Sequence, residues 1–121
     1  MHETEETLAF LDINPITEGH TLVIPKRHAR DLHDIDTDDL AATSRSAKAV
    51  AARLTDTLGV DGINLLHATG AAAWQTVFHL HIHVLPRTAG DLAFPFPHRG
   101  AEPAELDALH RRLTGGASDP R

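Results

Sequence analysis

The stretch that decides the fold is Phe78-His79-Leu80-His81-Ile82-His83-Val84-Leu85-Pro86, in which histidine alternates with aliphatic residues. A period of two is typical of a β-strand, so we expect the imidazole rings on one face and the aliphatic side chains on the other. Alternate residues of a strand lie about 6.5 Å apart. The pattern therefore predicts a strand from Gln75 to Leu85 with a wall of imidazoles. Such a wall can bind a metal, hold an anion, or carry nucleophilic and proton-transfer chemistry.

The segments around this stretch predict further strands and two helices. A long helix is expected to start at Thr37, which can serve as its cap, and to end at Gly59. Pro103 suits the start of a short amphipathic C-terminal helix. Strands are expected in three segments rich in β-branched or aliphatic residues, namely 7–11, 20–25 and 60–67.

These elements predict an α+β fold, in which an antiparallel sheet is packed with one long helix and a short C-terminal helix over about 103–114. The first and last strand pairs are expected to be antiparallel. Both helices are expected to pack on the sheet and bury its apolar side. We expect a single domain over 1–121 whose tail, 115–121, is disordered. The histidine face must then lie on the other side of the sheet or at its end, open to a ligand.

The composition is that of an ordinary globular chain with an acidic balance. The chain has 121 residues, 41% of them hydrophobic, no cysteine, and a formal net charge of −6. Without cysteine, disulfides and thiolate zinc sites are excluded. No apolar run approaches the roughly 20 residues that a membrane span needs. The acidic start, Met1 to Glu6, does not resemble a signal peptide, so a cytoplasmic location is expected. The negative charge disfavours a nucleic-acid surface, and we expect neither a nucleic-acid nor a membrane partner.

Three segments, in one order and spacing, carry a resemblance to a known family. The histidine triplet follows the pair Gln75-Thr76, and the stretches 9–15 and 19–26 precede it. Ala89-Gly90-Asp91 comes after it. Together, over about residues 7–92, they resemble the histidine triad (HIT) superfamily of nucleotide hydrolases and transferases. The resemblance implies a HIT-like fold and a homodimer. It also implies reaction at the α-phosphate of a purine nucleotide such as AMP, and no cofactor is expected.

The resemblance assigns roles to the histidines. His81 matches the nucleophile, which attacks phosphorus through Nε2 while Nδ1–H donates to a main-chain carbonyl. In the family that carbonyl belongs to the first triad histidine, here His79, whose ring has either a chemical or a structural role. His83 matches the residue that contacts the phosphate and assists the leaving group, and His20 matches one that positions the nucleophile. The remaining histidines, His67 among them, are expected to be surface or partly buried side chains.

The resemblance also implies a nucleotide-binding set. Gln75 and Thr76 match the pair that binds the phosphate, and Asp12 matches the carboxylate that accepts hydrogen bonds from the ribose hydroxyls. Phe10 and Ile13 line the base pocket or belong to the core. Each of these residues also has a plain structural interpretation as a turn, strand or core residue. The cations Lys26, Arg27 and Arg87 either add positive charge near the phosphate or are solvated.

The sequence departs from the family pattern in two places. Family members usually begin earlier, with an extra helix and strand that build one wall of the base pocket, so base selectivity is open. Ala68 stands where many members carry Asn or Gln, and Thr69 is a substitute for it. Trp74 stands where they carry Gly. The indole then occludes the leaving-group side, stacks on a base, or lies at a dimer contact.

Three functions follow from these observations. The first is a nucleotide hydrolase or nucleotidyltransferase acting through His81 on phosphoramidates or dinucleoside polyphosphates. Pro86-Arg87 and Ala89-Gly90-Asp91 favour polyphosphates. The second is a zinc site on the three imidazoles, although alternate residues of one strand fit the metal geometry poorly. The third is a non-catalytic nucleotide-binding protein of the same fold.

Overall fold

The structure is a computed structural model, which describes residues 1–91 and 99–115. Its elements, in chain order, are β1 (His2–Glu3), β2 (Thr7–Leu11), β3 (Thr21–Pro25), α1 (Thr37–Leu58), β4 (Gly62–Leu66), a 3-10 turn (Ala71–Ala73), β5 (Ile82–Arg87) and α2 (Pro103–Leu113). The strands form one antiparallel sheet in the order β1-β2-β3-β5-β4. The predicted α+β class and antiparallel sheet are confirmed. No helix among the described residues is long and apolar enough to cross a membrane.

The core lies between the sheet and α1. Alternate strand residues face the helix, and Ala9, Val23 and Val84 have no exposed surface. Helix residues at helical spacing meet them, including Val50 and Leu54, because an amphipathic helix buries one stripe of side chains. The aliphatic residues of the histidine stretch therefore belong to the core, as the alternation predicted.

A buried polar contact also joins the sheet to the helix. The hydroxyls of Thr7 on β2 and Ser46 on α1 lie 2.6 Å apart. The Thr7 hydroxyl is also 2.7 Å from that of Thr4. These bonds satisfy groups that would be costly to bury alone.

The site depends on where β3 and β5 pair. Their register places Leu22 opposite His83 and Thr21 opposite Val84. The turn from β2 to β3 is closed by the Asp12 N–H, which donates to the His20 carbonyl at 2.9 Å. This turn brings His20, immediately before β3, close to the first residues of β5.

The histidine strand is shorter than the predicted 75–85. β5 begins at Ile82, so His79 and His81 precede it. Pairing with β3 ends at Val23 opposite Ile82. The chain before that point bonds to the loop that follows β3 instead, with the Leu80 N–H donating to the Ala29 carbonyl at 2.7 Å. The prediction failed because alternation describes side-chain direction and does not show whether a partner strand extends alongside.

Other elements also differ from expectation. β1 was not predicted, and the strand expected over 60–67 spans only 62–66. The N-cap of α1 is Asp36, which has extended backbone angles, so Thr37 is the first helical residue. The predicted packing of α2 on the sheet is wrong for the described residues, since none of its side chains is buried. Its leucines at helical spacing, Leu106, Leu109 and Leu113, are exposed. The predicted tail beyond Gly115, and 92–98 of the coil, lie outside the described residues.

Candidate active site

The His81 ring is oriented by the main chain. Its Nδ1 lies 2.8 Å from the His79 carbonyl oxygen. A carbonyl only accepts, so Nδ1 carries the proton and, in the neutral ring, Nε2 carries the lone pair. Nε2 of His81 has no hydrogen-bond partner among residues 1–91 and 99–115. The arrangement leaves one nucleophilic nitrogen open to a ligand.

His20 and His83 form a directed chain of hydrogen bonds. The Ile16 N–H donates to His20 Nδ1 at 3.1 Å. His20 Nε2 must then carry the proton, and it donates to His83 Nδ1 at 2.8 Å. The remaining proton of His83 is therefore on Nε2, where it can donate to a ligand. The His81 and His83 rings are neighbours, with their centres 4.9 Å apart.

Burial keeps both rings of this chain neutral. Burial, together with smaller contributions from the neighbouring His81 and His20 rings, lowers the pKa of His83 to about 4. Burial also lowers the pKa of His20, against an opposing effect of the Asp12 carboxylate. At neutral pH the site thus presents an N–H donor at His83. It does not present an imidazolium there.

The lowered pKa of His83 is expected to make the fold sensitive to acid. Between the ordinary value of 6.5 and the folded value of about 4, the unfolded chain binds a proton that the folded chain excludes. Stability therefore falls as the pH drops through this window. In thermal unfolding followed by circular dichroism, His83→Asn should flatten part of that pH dependence. The exposed His33→Asn should not, and equal slopes for all three proteins would refute the assignment.

His67 is bonded to the main chain of His81, a contact that the sequence did not indicate. Its Nδ1 donates to the His81 carbonyl at 3.1 Å. The Thr69 hydroxyl, 2.5 Å away, donates to Nε2 of this ring and accepts from the Leu32 N–H at 3.0 Å. Thr69 was expected to substitute for the Asn or Gln that many family members carry at the position of Ala68. In the structure its hydroxyl bonds to the His67 ring. Only the strand register could have indicated this contact. β4 pairs with β5 up to Leu66 opposite His83, and this pairing brings His67 toward the triad.

The His79 ring has structural partners. Its Nε2 donates to the Pro25 carbonyl at 2.8 Å. Its Nδ1 then accepts from Nδ1 of the exposed His28, 3.2 Å away. The ring ties the start of the triad to the end of β3, while the carbonyl of the same residue orients His81.

An apolar cavity of about 160 Å³ adjoins His81. Phe10 lines it. Ile13 does not line it and is 92% exposed, so it belongs neither to this cavity nor to the core. The other lining residues are Leu22, Ile24, Val77, His79 and His81. The sequence pattern did not identify the aliphatic lining residues, because the same pattern is typical of core residues.

The three predicted polar contacts have different surroundings. Asp12 Oδ1 accepts from the Asn14 N–H, and its Oδ2 lies 3.6 Å from His20 Nε2. Gln75 is buried, and its amide group is used within the loop: Oε1 accepts from the Gly70 N–H, and Nε2 donates to main-chain carbonyls. Thr76 is exposed and has no hydrogen-bond partner in the described part of the chain. Of the two residues predicted to bind the phosphate, only Thr76 therefore has its side chain available.

The neighbouring cations are engaged elsewhere. Lys26 lies 2.5 Å from a Glu3 carboxylate oxygen, and Arg27 pairs more loosely with Asp39. Arg87 donates through Nε and Nη2 to the Asp91 carboxylate. A phosphate at this site would accordingly be bound by neutral N–H and O–H donors.

The distribution of protons in the site disfavours metal binding. Among the described residues, Asp12, His20 and His83 have ligand atoms within 4.8 Å of one another, and the three triad histidines form no such group. A metal needs an unprotonated nitrogen. Nδ1 of His20 accepts from the Ile16 N–H, which leaves the proton on Nε2, the atom facing His83. These residues fit a hydrogen-bonded chain better than a metal centre.

Comparison with known proteins settles the family. The sequence matches the HIT domain family over residues 1–90. The protein belongs to the HIT family. An uncharacterized HIT-like protein of Mycoplasma genitalium is 47% identical over 70% of this chain and 60% of its own length. The adenosine 5′-monophosphoramidase of Saccharomyces cerevisiae is 37% identical over 92% of this chain and 69% of its own length.

A solved structure also resembles this HIT protein. The zinc-bound histidine triad family protein from Mycobacterium smegmatis has a TM-score of 0.73 and 39% identity, covering 96% of this chain and 86% of its own. The matches to the first curated relatives span between 60% and 78% of their lengths.

Proposed function

We propose that this HIT protein hydrolyses nucleoside 5′-phosphoramidates of the AMP type through a covalent nucleotidyl-His81. One observation carries the proposal: His81 Nδ1 donates to the His79 carbonyl, and Nε2 is left open beside an apolar cavity. The similarity to a yeast adenosine 5′-monophosphoramidase supports the choice of substrate class.

In the first step, the Nε2 lone pair of His81 forms a bond to the α-phosphorus, and the bond from phosphorus to the amine nitrogen breaks. The amine leaves after taking one proton from solvent. The imidazole keeps its Nδ1 proton and becomes a cationic nucleotidyl-imidazole, which the His79 carbonyl stabilises. The Nε2–H of His83 donates to a phosphoryl oxygen or to the leaving nitrogen.

In the second step, water attacks the same phosphorus. The bond to His81 breaks, AMP is released, and the proton consumed in the first step returns to solvent. The net reaction converts the phosphoramidate and one water into AMP and the free amine. Two displacements suit a poor leaving group, because each passes over a lower barrier than a single attack by water.

The nucleotide would be bound by the residues around this centre. In the proposal, Phe10 and the aliphatic walls of the cavity receive the base, and Asp12 Oδ2 accepts from the ribose hydroxyls. The Thr76 hydroxyl and N–H donate to a phosphoryl oxygen. Gln75 acts by shaping the loop, since its own amide is occupied.

The choice between phosphoramidates and dinucleoside polyphosphates turns on charge. A polyphosphate leaving group carries several negative charges and favours cationic side chains. Arg87, on which the polyphosphate expectation partly rested, is held by Asp91 and by Asn64. Phosphoramidates, whose leaving group is an amine, are therefore the substrates we propose.

A homodimer is part of the proposal. β4 lies at an edge of the sheet, and its residues Leu65 and Leu66 are exposed. An unpaired strand edge with apolar side chains is a surface that a second copy can cover. Sedimentation velocity should then give the mass of two chains. The cytoplasmic location stays a prediction.

The proposal is tested by incubating the protein with adenosine 5′-phosphoramidate and measuring AMP by chromatography. Rapid acid-free quenching with a radiolabelled adenylyl group should trap label on the chain, at His81 by peptide mapping. AMP that binds without any turnover of phosphoramidate or polyphosphate would favour the non-catalytic alternative. Stoichiometric zinc in the purified protein would favour the metal alternative.

A further inference from the structure

The main chain of His81 lies where the pairing of both neighbouring strands stops. β3 pairs with β5 as far as Val23 opposite Ile82, and β4 pairs with it as far as Leu66 opposite His83. β5 itself begins at Ile82, so His81 is the residue just before the strand. Residues at the end of an element open more easily than those in its middle. The position of His81 therefore depends on bonds from outside the strand pairs.

The side chain of His67 supplies such a bond. Its Nδ1 donates to the His81 carbonyl at 3.1 Å and so restricts the peptide group that follows His81. The ring of His81 has a different partner, the His79 carbonyl, 2.8 Å from its Nδ1. The backbone and the ring of one residue are thus each bonded to a separate group. Together the two bonds restrict the direction of Nε2, and attack on phosphorus requires a restricted geometry.

Thr69 holds the His67 ring in the protonation state that this bond needs. The Thr69 oxygen lies 2.5 Å from Nε2 of His67 and accepts from the Leu32 N–H at 3.0 Å. If Nε2 carried a proton, two donors would converge on this oxygen, and the hydroxyl proton would have no partner among residues 1–91 and 99–115. With Nε2 unprotonated, the hydroxyl donates to it and both groups are satisfied. Thr69 therefore keeps the proton of His67 on Nδ1, which faces the His81 carbonyl.

This chain of bonds starts from an anchored segment, 29–32. Two of its main-chain carbonyls accept hydrogen bonds, one from the Leu80 N–H at 2.7 Å and one from the Gln75 side chain at 2.8 Å. From this segment, donation runs in one direction, from the Leu32 N–H to the His81 carbonyl. Bonds aligned in this way polarise and strengthen one another. Loss of one member is therefore expected to reach His81.

We propose that His67 and Thr69 are positioning residues, which hold the main chain of His81 so that its Nε2 meets the phosphorus in line. The inference rests on the proposed function and adds to it the groups that set the direction of attack. Neither residue contacts the substrate, so both act on the rate of the covalent step and not on the affinity for the nucleotide. A displacement of about 1 Å at a reacting centre can lower a rate by about 100-fold.

Thr69→Val tests the proposal, because it removes the hydroxyl and keeps the shape of the side chain. The variant should lower kcat for adenosine 5′-phosphoramidate by at least about tenfold, while KM stays close to the native value. In single-turnover measurements, the loss should appear in the formation of nucleotidyl-His81. Thr69→Ser restores the hydroxyl and should recover most of the rate.

Thr55→Val is the matched control. The Thr55 hydroxyl donates to the Ala51 carbonyl at 2.9 Å within α1, and its partner is not a residue of the site. The substitution removes a hydroxyl and one hydrogen bond, as Thr69→Val does. It should therefore leave kcat unchanged. A loss in Thr55→Val equal to that in Thr69→Val would overturn the inference.

A double substitution tests whether His67 and Thr69 act as one unit. His67→Leu removes the bond to the His81 carbonyl and should lower kcat at least as much as Thr69→Val does. Adding Thr69→Val to His67→Leu should then lower kcat no further, because the hydroxyl acts only through the ring. Losses that multiply would give the two residues separate roles and overturn the inference. If His67→Leu does not fold, the three threonine variants still decide the question.

Nuclear magnetic resonance of ¹⁵N-labelled histidine separates this inference from the proposed function. At neutral pH, His67 of the wild-type protein should carry its proton on Nδ1. Thr69→Val should shift or broaden the ring resonances of His81, and Thr55→Val should not. If the wild-type protein hydrolyses no phosphoramidate, the proposed function fails, and these resonances still decide whether the two residues hold His81.

Three further results would overturn the inference and leave the proposed function intact. The first is a loss of kcat smaller than about tenfold in Thr69→Val. The second is a loss in that variant that lies in KM alone. The third is a proton on Nε2 of His67 in the wild-type protein.

Discussion

His81→Ala is expected to abolish turnover of adenosine 5′-phosphoramidate, lowering kcat/KM by at least about 10⁴-fold. The methyl group that replaces the ring has no lone pair, so the covalent step is lost altogether. The His79 carbonyl, the His20–His83 chain and the cavity remain. AMP binding, measured by calorimetry, should therefore persist in the variant. Equal turnover by His81→Ala and the wild-type protein would exclude His81 as the nucleophile.

Two further variants sharpen this prediction. His33→Ala removes an exposed histidine far along the chain from the triad and should leave turnover unchanged. His79→Ala retains the main-chain carbonyl that accepts from His81 Nδ1, at 2.8 Å in the native protein. If the carbonyl is what matters at this position, His79→Ala should lose far less activity than His81→Ala. A loss as large as that of His81→Ala would give the His79 ring a direct part in the reaction.

Gly19→Ala is expected to destabilise the fold by about 2 to 4 kcal/mol, the sum of a backbone and a packing cost. Gly19 has φ +86°, a region that side chains rarely adopt. A Cβ at this position would also lie 2.7 Å from Leu58 Cδ1 and 3.2 Å from Pro86 Cγ. Relief of these contacts would shift the turn that carries His20. Urea unfolding measures the loss of stability, and turnover should fall with the displacement of His20.

Gly59→Ala provides the matched control. Gly59 also has a positive φ, +65°, but nothing lies within 4 Å of the Cβ that alanine would add. The free energy of unfolding of Gly59→Ala should fall only by the backbone contribution, about 1 kcal/mol. A loss for Gly19→Ala no larger than that for Gly59→Ala would show that the turn relaxes without cost. The packing argument for the position of His20 would then be wrong.

The local patterns in the sequence were reliable where one element decides the outcome. The end of α1 at Gly59 is confirmed by its left-handed backbone, which bonds to the Thr55 carbonyl. The alternation of the triplet correctly placed Ile82 and Val84 in the core. The packing of α2 was predicted wrongly from the same kind of pattern. An apolar stripe predicts that one face of a helix is buried, but it does not identify the surface that buries it.

The amino-acid sequence by itself determined the α+β class and the apolar face of the triplet, and its resemblance proposed the central histidine as the nucleophile. The class and the apolar face follow from the period of side-chain direction, and the role proposed for the central histidine follows from a short motif; both kinds of signal are local. Only the tertiary structure decided how the protons are distributed. The bond between His20 and His83 joins residues 63 positions apart, and that between His67 and His81 spans 14. Such bonds depend on strand register and on where pairing stops, and no local pattern carries that information.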